Sequence, residues 1–527
     1  MILRPRVEMD FGAGFVDISE DVVTNVKADF GIQSADPRIR IADPGEMAFS
    51  LDNTIYNSGG LQGFYSPSHT NTRSGFAIGT KVRLIINHLL FGDHEMWTGT
   101  ISKIMPKAGA RGQLVSVSCV DWLQEAVQAR LDRIAVQENV QSDALFSILV
   151  GVPTVPPPNG TRVGSGSDIY PFALDNTQDE KGNVLAEMNK LASSEFGIIY
   201  VRAGTVVFEG RRRRGGASNV RLVLDENDQI VAMNNSSHDR SEIINRVQVS
   251  IHPRRRDAAA TTVLFNLGSS IQIIRGTSAI INCPYRDPNQ QAQRVAGTDM
   301  VDPVATTDYT FNTQANGLGT NITGQLVVTA SFGGNSAQVT VTNPGPMDGF
   351  IPANGLKLRG RGLYDFEPVI SDRSDSTSIA AYGQNVFGYD MPYQSDPLNA
   401  LDVSQFLLFL NKDPQTRVQS VTYVANWSDE TVEAALHLEI SDRIAIEAPS
   451  IGLAQGNFFV NGVTLDVRMS GLILVTYALT PASTSQFWQL DVPGRTELDE
   501  TTILGYGFFL AGWTLDQSAL GAETFLN

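Results

Sequence analysis

The sequence predicts a mainly β, multi-domain chain with a small α+β part. Three observations carry that prediction. Short runs of alternating apolar and polar residues recur along most of the chain, separated by turn formers. The chain holds 47 Gly and 24 Pro and few long helical patterns. Only one region, about 126–215, adopts helical spacing and then returns to strands. A length of 527 residues accommodates roughly 3–4 domains.

Composition narrows the class. Hydrophobic residues make up 42% and charged residues 18%, which places the chain among folded globular proteins. The formal net charge of −17 argues against a protein whose main task is gripping phosphates. It suits a chain that lets nucleic acid pass without sticking; solubility alone is the bland reading. Cys119 and Cys283 are too few and too far apart for a disulfide scaffold, and Cys119 reads as a small core residue. The first residues, MILRPRVEMDFGAG, lack a charged segment followed by an apolar run, so no signal peptide is expected. No stretch approaches ~18 uncharged apolar residues, so no membrane span is expected. Synthesis and folding in the cytoplasm follow.

In chain order, residues 1–78 hold short strand candidates at Phe15–Ser19, Val22–Phe30 and Met47–Leu51. Residues 52–78 are rich in Asn, Gly, Ser and Tyr and read as a long loop, either self-packed or used for contacts. The clearest β unit is Gly79–Leu123. Val82, Leu84 and Ile86 share one face, as do Trp97, Gly99 and Ile101, and Val115, Val117 and Cys119. Gly92-Asp93 and Gly109–Gly112 supply the turns, which gives an antiparallel meander running into a helix. Ser142-Asp143 would cap a helix carrying Leu145, Ile148 and Leu149. Residues 151–170 are a Pro/Gly-rich loop. Val184, Leu185, Met188 and Leu191 share a helical face, and Gly197–Val201 with Thr205–Phe208 forms a hairpin. Strands resume at 221–256, ending at Ile243–Ile251. A further β block spans about 260–365, with a hairpin over Gly324–Thr342 turning at Gly333-Gly334. The region 366–527 is read as keeping β character, with strands at Arg417–Val424, Leu436–Ile440, Phe458–Val463 and Gly471–Tyr477. Phe487-Trp488, Leu504–Tyr506 and Trp513 give the last residues an ordered look.

Several motifs resemble a known family. Gly79-x-x-Val82-Arg83, Trp97-x-Gly99-x-Ile101 and Val117-x-Cys119-x-Asp121-Trp122-Leu123 look like the first domain of tailed-phage tail hub proteins. These are the trimeric baseplate or tail-tip proteins similar to the contractile-phage hub. Gly63–Pro67 resembles their tyrosine-serine-proline loop. The helix-and-hairpin region near 197–210 resembles their second domain. Ser441-Asp442-Arg443-Ile444 followed by Phe458–Val463 resembles their closing barrel, with Ser441 where glycine is usual. The resemblance implies two hub-type β-barrels, 1–125 and 216–259 with 400–480. It also implies a small α+β domain at 126–215, an inserted β-sandwich and connecting segment at 260–399, and a C-terminal segment at 481–527.

Candidate chemistry is sparse. His69, His88, His94, His238, His252 and His437 show no zinc-site spacing, and His88 and His94 flank a turn. Asp225-Glu226-Asn227-Asp228 lacks the glycine and distal glutamate of a calcium loop. There is no G-x-S-x-G and no phosphate-binding loop. No catalytic, cofactor-binding or metal residue is assigned, and no enzyme activity or cofactor is expected. Arg211–Arg214 and Arg254–Arg256 are two basic runs in an acidic chain. They read as DNA contacts, as contacts to an acidic subunit, or as loop arginines paired with neighbouring carboxylates. Neither run has the interleaved aromatics of a single-strand binder, which favours the last two readings.

The resemblance implies a virion tail protein that is structural rather than enzymatic. Three copies would form a homotrimeric ring that continues or closes the tail tube. Implied partners are a distal tail or tube protein, the tape-measure protein and tail-tip or fibre proteins. DNA would be met only in passage through the lumen during genome ejection. A receptor- or glycan-binding tail module is the alternative reading. A hub with cell-wall hydrolase activity ranks below it, because no added enzyme domain is apparent.

Overall fold

The computed structural model describes residues 3–109, 113–131, 134–175, 182–216, 219–237 and 239–482, with two short strands at 486–487 and 502–503. His238, the tip of the Gly109–Gly112 turn and the aromatic residues Trp488, Tyr506 and Trp513 lie outside the described residues.

The chain is mainly β, and its centre is one sheet of thirteen strands. In spatial order these run Ile230–Ser237, Thr416–Val424, Ile473–Pro481, Leu453–Val467, Val26–Gly31, Glu46–Asp52, Leu114–Val120, Gly92–Lys107, Lys81–His88, Leu3–Asp10 and Phe15–Asp17. Arg443–Ala448 branches from Leu453–Val467 and pairs in parallel with Val220–Asp225. The sequence reading expects two barrels. Among the described residues the two end strands do not pair with each other, and no closed barrel forms. The reason lies at the middle of the sheet. Val26–Gly31 gives its free edge to Leu453–Val467, from Gly31↔Gly462 to Val26↔Val467, so the early and late strands join edge to edge. Close backbone approach fixes that seam. A Cβ on Gly31 would lie 2.7 Å from Asn461 O, and one on Gly462 would lie 2.7 Å from Ile32 O.

The meander forms as its alternation requires. Lys81–His88, Gly92–Lys107 and Leu114–Val120 pair antiparallel, and Val82, Leu84, Ile86, Val115, Val117 and Cys119 are buried. Trp97 is buried opposite Leu84, and Gly99 pairs with Val82. A Cβ on Gly99 would meet Val120 O at 2.1 Å and the Trp97 ring at 2.5 Å. The Trp-x-Gly pattern is therefore a packing requirement. Asp121 Oδ1 accepts from Leu123 N at the start of helix Leu123–Gln128, and Trp122 Nε1 donates to Val155 O. One hydrophobic core runs beneath both ends of the sheet and into the α+β region.

In the α+β region, helices Ser142–Val150 and Val184–Glu195 pack against each other, next to the hairpin Ile198–Arg202/Thr205–Glu209. Asn183 caps the second helix, and Val184, Met188 and Leu191 face inward. The expected cap at Ser142-Asp143 is displaced by one residue: Gln141 is the cap position, and Asp143 Oδ2 holds Gly166 N instead.

Two later regions differ from expectation. Arg246–Ile251, read as the start of the second barrel, lies instead between Val369–Ser374 and Val386–Met391 in a separate three-stranded sheet. That sheet packs on helix Pro397–Asn411 around its own core of Val247, Val249, Phe387, Met391 and Val403. Residues 366–437 are not purely β. Ser376–Tyr382, Pro397–Asn411 and Asp429–His437 are helices, and the last replaces the strand read at Leu436–Ile440. Ser428 caps it reciprocally with Thr431, a local preference that outweighs the Leu436/Leu438/Ile440 alternation. The β block beyond residue 254 has a third core, with Leu264, Cys283, Tyr285, Phe311, Val339 and Leu358. Its hairpin Val327–Phe332/Ser336–Thr342 turns at Gly333-Gly334.

Candidate functional site

The described residues hold no group of three or more His, Cys, Asp or Glu placed to bind a metal ion. No helix among them is long and apolar enough to cross a membrane. Asp225 accepts from Asn227 N and Glu226 accepts from Ser450 N, so the acidic run 225–228 closes a turn and ties it to residue 450. The features that can do something are contact surfaces and the joints between units.

The first surface is the tip of the hairpin between Lys81–His88 and Gly92–Lys107. Leu89 is 91% exposed and Leu90 is 81% exposed. Behind them Phe91 stacks on His88 at 4.8 Å and meets the edge of His437 at 5.4 Å. His94 contacts His437 at 4.7 Å. Burial, and next the neighbouring His437, lower the His94 pKa. Spacing alone could not reveal this cluster, because His437 arrives from a helix in the other half of the sheet. The second surface is the loop 53–78, which is ordered and self-packed. Tyr65 is buried and donates to Asp21 Oδ2 at 2.5 Å, while Asn53 Oδ1 accepts from Tyr65 N. The loop leaves Ile55, Leu61 and Tyr56 outside, the last 85% exposed.

The two arginine runs are joints. Arg211 is buried and forks onto Asp168, with Nη1 at 2.5 Å and Nη2 at 2.9 Å, and lies 3.9 Å from Glu195. Burial raises the Glu195 pKa, and Arg211 opposes that rise. Arg213 reaches Asp442 at 3.1 Å. Arg214 donates to Ser441 Oγ, Thr480 Oγ1 and Asn461 Oδ1, and its guanidinium lies 5.2 Å from the Phe459 ring centre. Burial pushes its pKa down to about 9. Arg254 pairs with Asp175 and also donates to Pro392 O at 3.0 Å. Arg256 pairs with Glu138, and Arg255 lies over Tyr364 at 5.0 Å. Of the readings open in the sequence, pairing with carboxylates of the same chain describes Arg211, Arg213, Arg254 and Arg256.

Ser441 explains its own oddity. Its φ is +70°, a left-handed conformation that glycine adopts without strain. The serine hydroxyl accepts from Arg214 Nε at 3.1 Å, a contact glycine could not supply.

Beside this joint lies an open cleft of about 430 Å³. Its charged wall is Arg162, Arg212 and Arg213 with Glu209 and Glu439, and the short strand Thr161–Val163 forms one rim. Arg162 is paired with Glu439 at 2.6 Å. Arg212 is exposed, and no carboxylate of the described residues pairs with it.

No family model and no curated protein matches the chain. Its neighbours among solved structures include tail proteins. The 43 kDa tail protein of prophage MuSo2 from Shewanella oneidensis is 10% identical with a TM-score of 0.47, covering 90% of this chain and 98% of that one. A tail protein from Neisseria meningitidis is 11% identical with a TM-score of 0.43, covering 91% and 97%. Prophage tail protein gp18 from Listeria monocytogenes is 8% identical with a TM-score of 0.40, covering 92% and 96%.

Proposed function

We propose that this chain is a structural tail protein of a tailed phage or tail-like particle, acting as its hub. Three copies form a ring that continues or closes the tail tube and joins it to tip or fibre proteins. The observation that carries this reading is the seam. One chain presents two β units side by side, residues 3–120 and 220–237 with 416–481, joined along Val26–Gly31 and Leu453–Val467. Three such chains would place six β units around an axis, which is how a trimer can meet a sixfold tube. The motifs at 79–123 support the same reading, because Trp97, Gly99 and Asp121 hold one of those units together.

In this reading the exposed tip Leu89–Leu90 and the loop carrying Tyr56 are subunit or tube contacts, where apolar side chains become buried. The partners are a distal tail or tube protein, the tape-measure protein and the tip or fibre proteins. A ring of three would carry a formal −51 (3 × −17), which suits a lumen that DNA crosses without adhering. Localisation is the virion tail.

Light scattering on the purified chain across a concentration series tests this. The expected outcome is a species near three times 57.1 kDa. Leu89→Glu with Leu90→Glu leaves the buried core untouched and should shift that species towards monomer. A chain that stays monomeric at every concentration, alone and with a tube protein added, would remove the ring.

A further inference from the structure

The arginine-lined cleft lies close to where the described chain leaves the sheet. Arg213, on the cleft wall, is followed by Arg214, which donates to Thr480 Oγ1 at 3.3 Å. Ala482 N then bonds Asn457 O at 2.9 Å, on the strand that carries Phe459. The residues that follow, 483–527, contain Asp491, Glu497, Asp499, Glu500, Asp516 and Glu523 against a single Arg495. Four of those six carboxylates fall within Asp491–Glu500. Gln486 pairs in parallel with Thr502, and Phe487 with Ile503, on either side of that stretch in the sequence. Nine peptide units from Ala482 to Asp491 reach up to ~30 Å, so tether length does not keep the acidic stretch from the cleft.

We propose that the acidic stretch Asp491–Glu500 docks in cis on this cleft, with its carboxylates on Arg212. The wall explains why Arg212 is the anchor. Arg162 is held by Glu439, and Arg213 is held by Asp442 with Glu209 at 3.8 Å, whereas Arg212 stands exposed at the mouth. Glu209 and Glu439 do not reverse the balance, because their charge is met by those two arginines. The short strand Thr161–Val163 pairs only with Thr205–Glu209 among the described residues, so its outer backbone edge is open to an approaching segment. The occupant is this chain's own segment, because it is acidic in the required place and leaves the sheet beside the site. A covalent tether raises its effective concentration above that of any separate acidic peptide. The proposal is independent of the hub reading and would hold for a monomer.

The test uses the 527-residue chain with Arg212→Lys and a zero-length carbodiimide cross-linker, which joins an amine to a carboxylate in contact with it. The native pair Lys412–Asp375, 3.0 Å apart and accessible to the reagent, marks a working reaction. The expected product is an amide between the amine introduced at position 212 and Asp491, Glu497, Asp499 or Glu500 of the same molecule. That link should be lost in high salt and when the four carboxylates become Asn or Gln. With Lys412–Asp375 linked, an introduced amine that stays unlinked, or links only to Glu209, Glu439 or other carboxylates, overturns the proposal. An equal mixture of isotopically light and heavy chains separates cis from trans: links from position 212 that join a light chain to a heavy one would also overturn it.

Discussion

The two arginine runs look alike in the sequence and act differently in the fold. Arg211–Arg214 begins at a turn and enters the short helix Arg212–Gly216, so successive side chains fan out in different directions. Arg211 points to Asp168, Arg213 to Asp442 and Arg214 to residues 441, 461 and 480. A single run therefore bolts the α+β region to the late strands of the main sheet. Arg254–Arg256 is a strand paired with Lys357–Asp365, so its side chains alternate. Arg254 and Arg256 reach Asp175 and Glu138 in the α+β region, and Arg255 turns away over Tyr364. What a charge run does depends on the backbone period beneath it and on which carboxylates the fold brings within reach.

Burial ranks the joints. Arg211 sits in a buried site with two carboxylates, Asp168 and Glu195, while Arg254 meets one buried carboxylate, Asp175, and one exposed one, Asp365. Arg211→Ala should therefore cost more, about 3–5 kcal/mol, because it leaves two adjacent buried charges without their cation. Arg254→Ala should cost about 2–3 kcal/mol, since Asp365 remains in water and Asp175 alone is stranded. Denaturant titrations of both variants check the order. Equal losses, or a larger loss at Arg254, would show that Gln394 and Asn399, which also donate to Asp168, carry the first site.

A pH series sharpens the comparison. Burial raises the Glu195 pKa above its ordinary value. The folded state then keeps a proton that the unfolded state has already released, so this group makes stability fall as pH rises from the ordinary glutamate range through the folded pKa. One such proton bounds the slope at ~1.4 kcal/mol per pH unit. Glu195→Gln should flatten that part of the curve and leave the chain more stable near neutral pH, provided the amide still accepts from Ser167 N, now 3.0 Å from Glu195 Oε1. An unchanged slope would place the pH dependence elsewhere. Asp121 is then the next group to examine, since burial pushes it up to about 7.

Legibility follows the range of the interaction. The meander 79–123 could be read because alternation and turns act over a few residues, and the Trp97–Gly99 spacing is a contact between a ring and the missing Cβ two residues on. The seam could not be read, because nothing in Val26–Gly31 names residues 462–467 as its partner. Helix Pro397–Asn411 did carry a local signal, an Asp396 cap followed by proline at the first turn, but its apolar run Phe406–Leu410 obscured the period. The arginine runs were visible as charge, and their partners were not. Asp168, Asp442 and Asp175 are scattered among 56 acidic residues, and only the fold selects them.

The smallest expected effect makes the comparison strictest. Arg255 belongs to the same run as Arg254 and carries the same charge, yet it lies on the solvent side of the strand over the Tyr364 ring. An exposed cation over a ring contributes about 0.5–1 kcal/mol, and here the flanking strand pairing does not depend on it. Arg255→Ala should therefore change stability by less than about 1 kcal/mol, while the change at its immediate neighbour Arg254 is several-fold larger. If charge density in the run were itself the stabilising feature, Arg254→Ala and Arg255→Ala would be alike, and both losses would shrink together as salt is added. If strand alternation assigns the roles, Arg256→Ala should lie between them, because its partner Glu138 is half-buried. A graded series of 254, 256 and 255 measured by the same unfolding titration separates the two accounts.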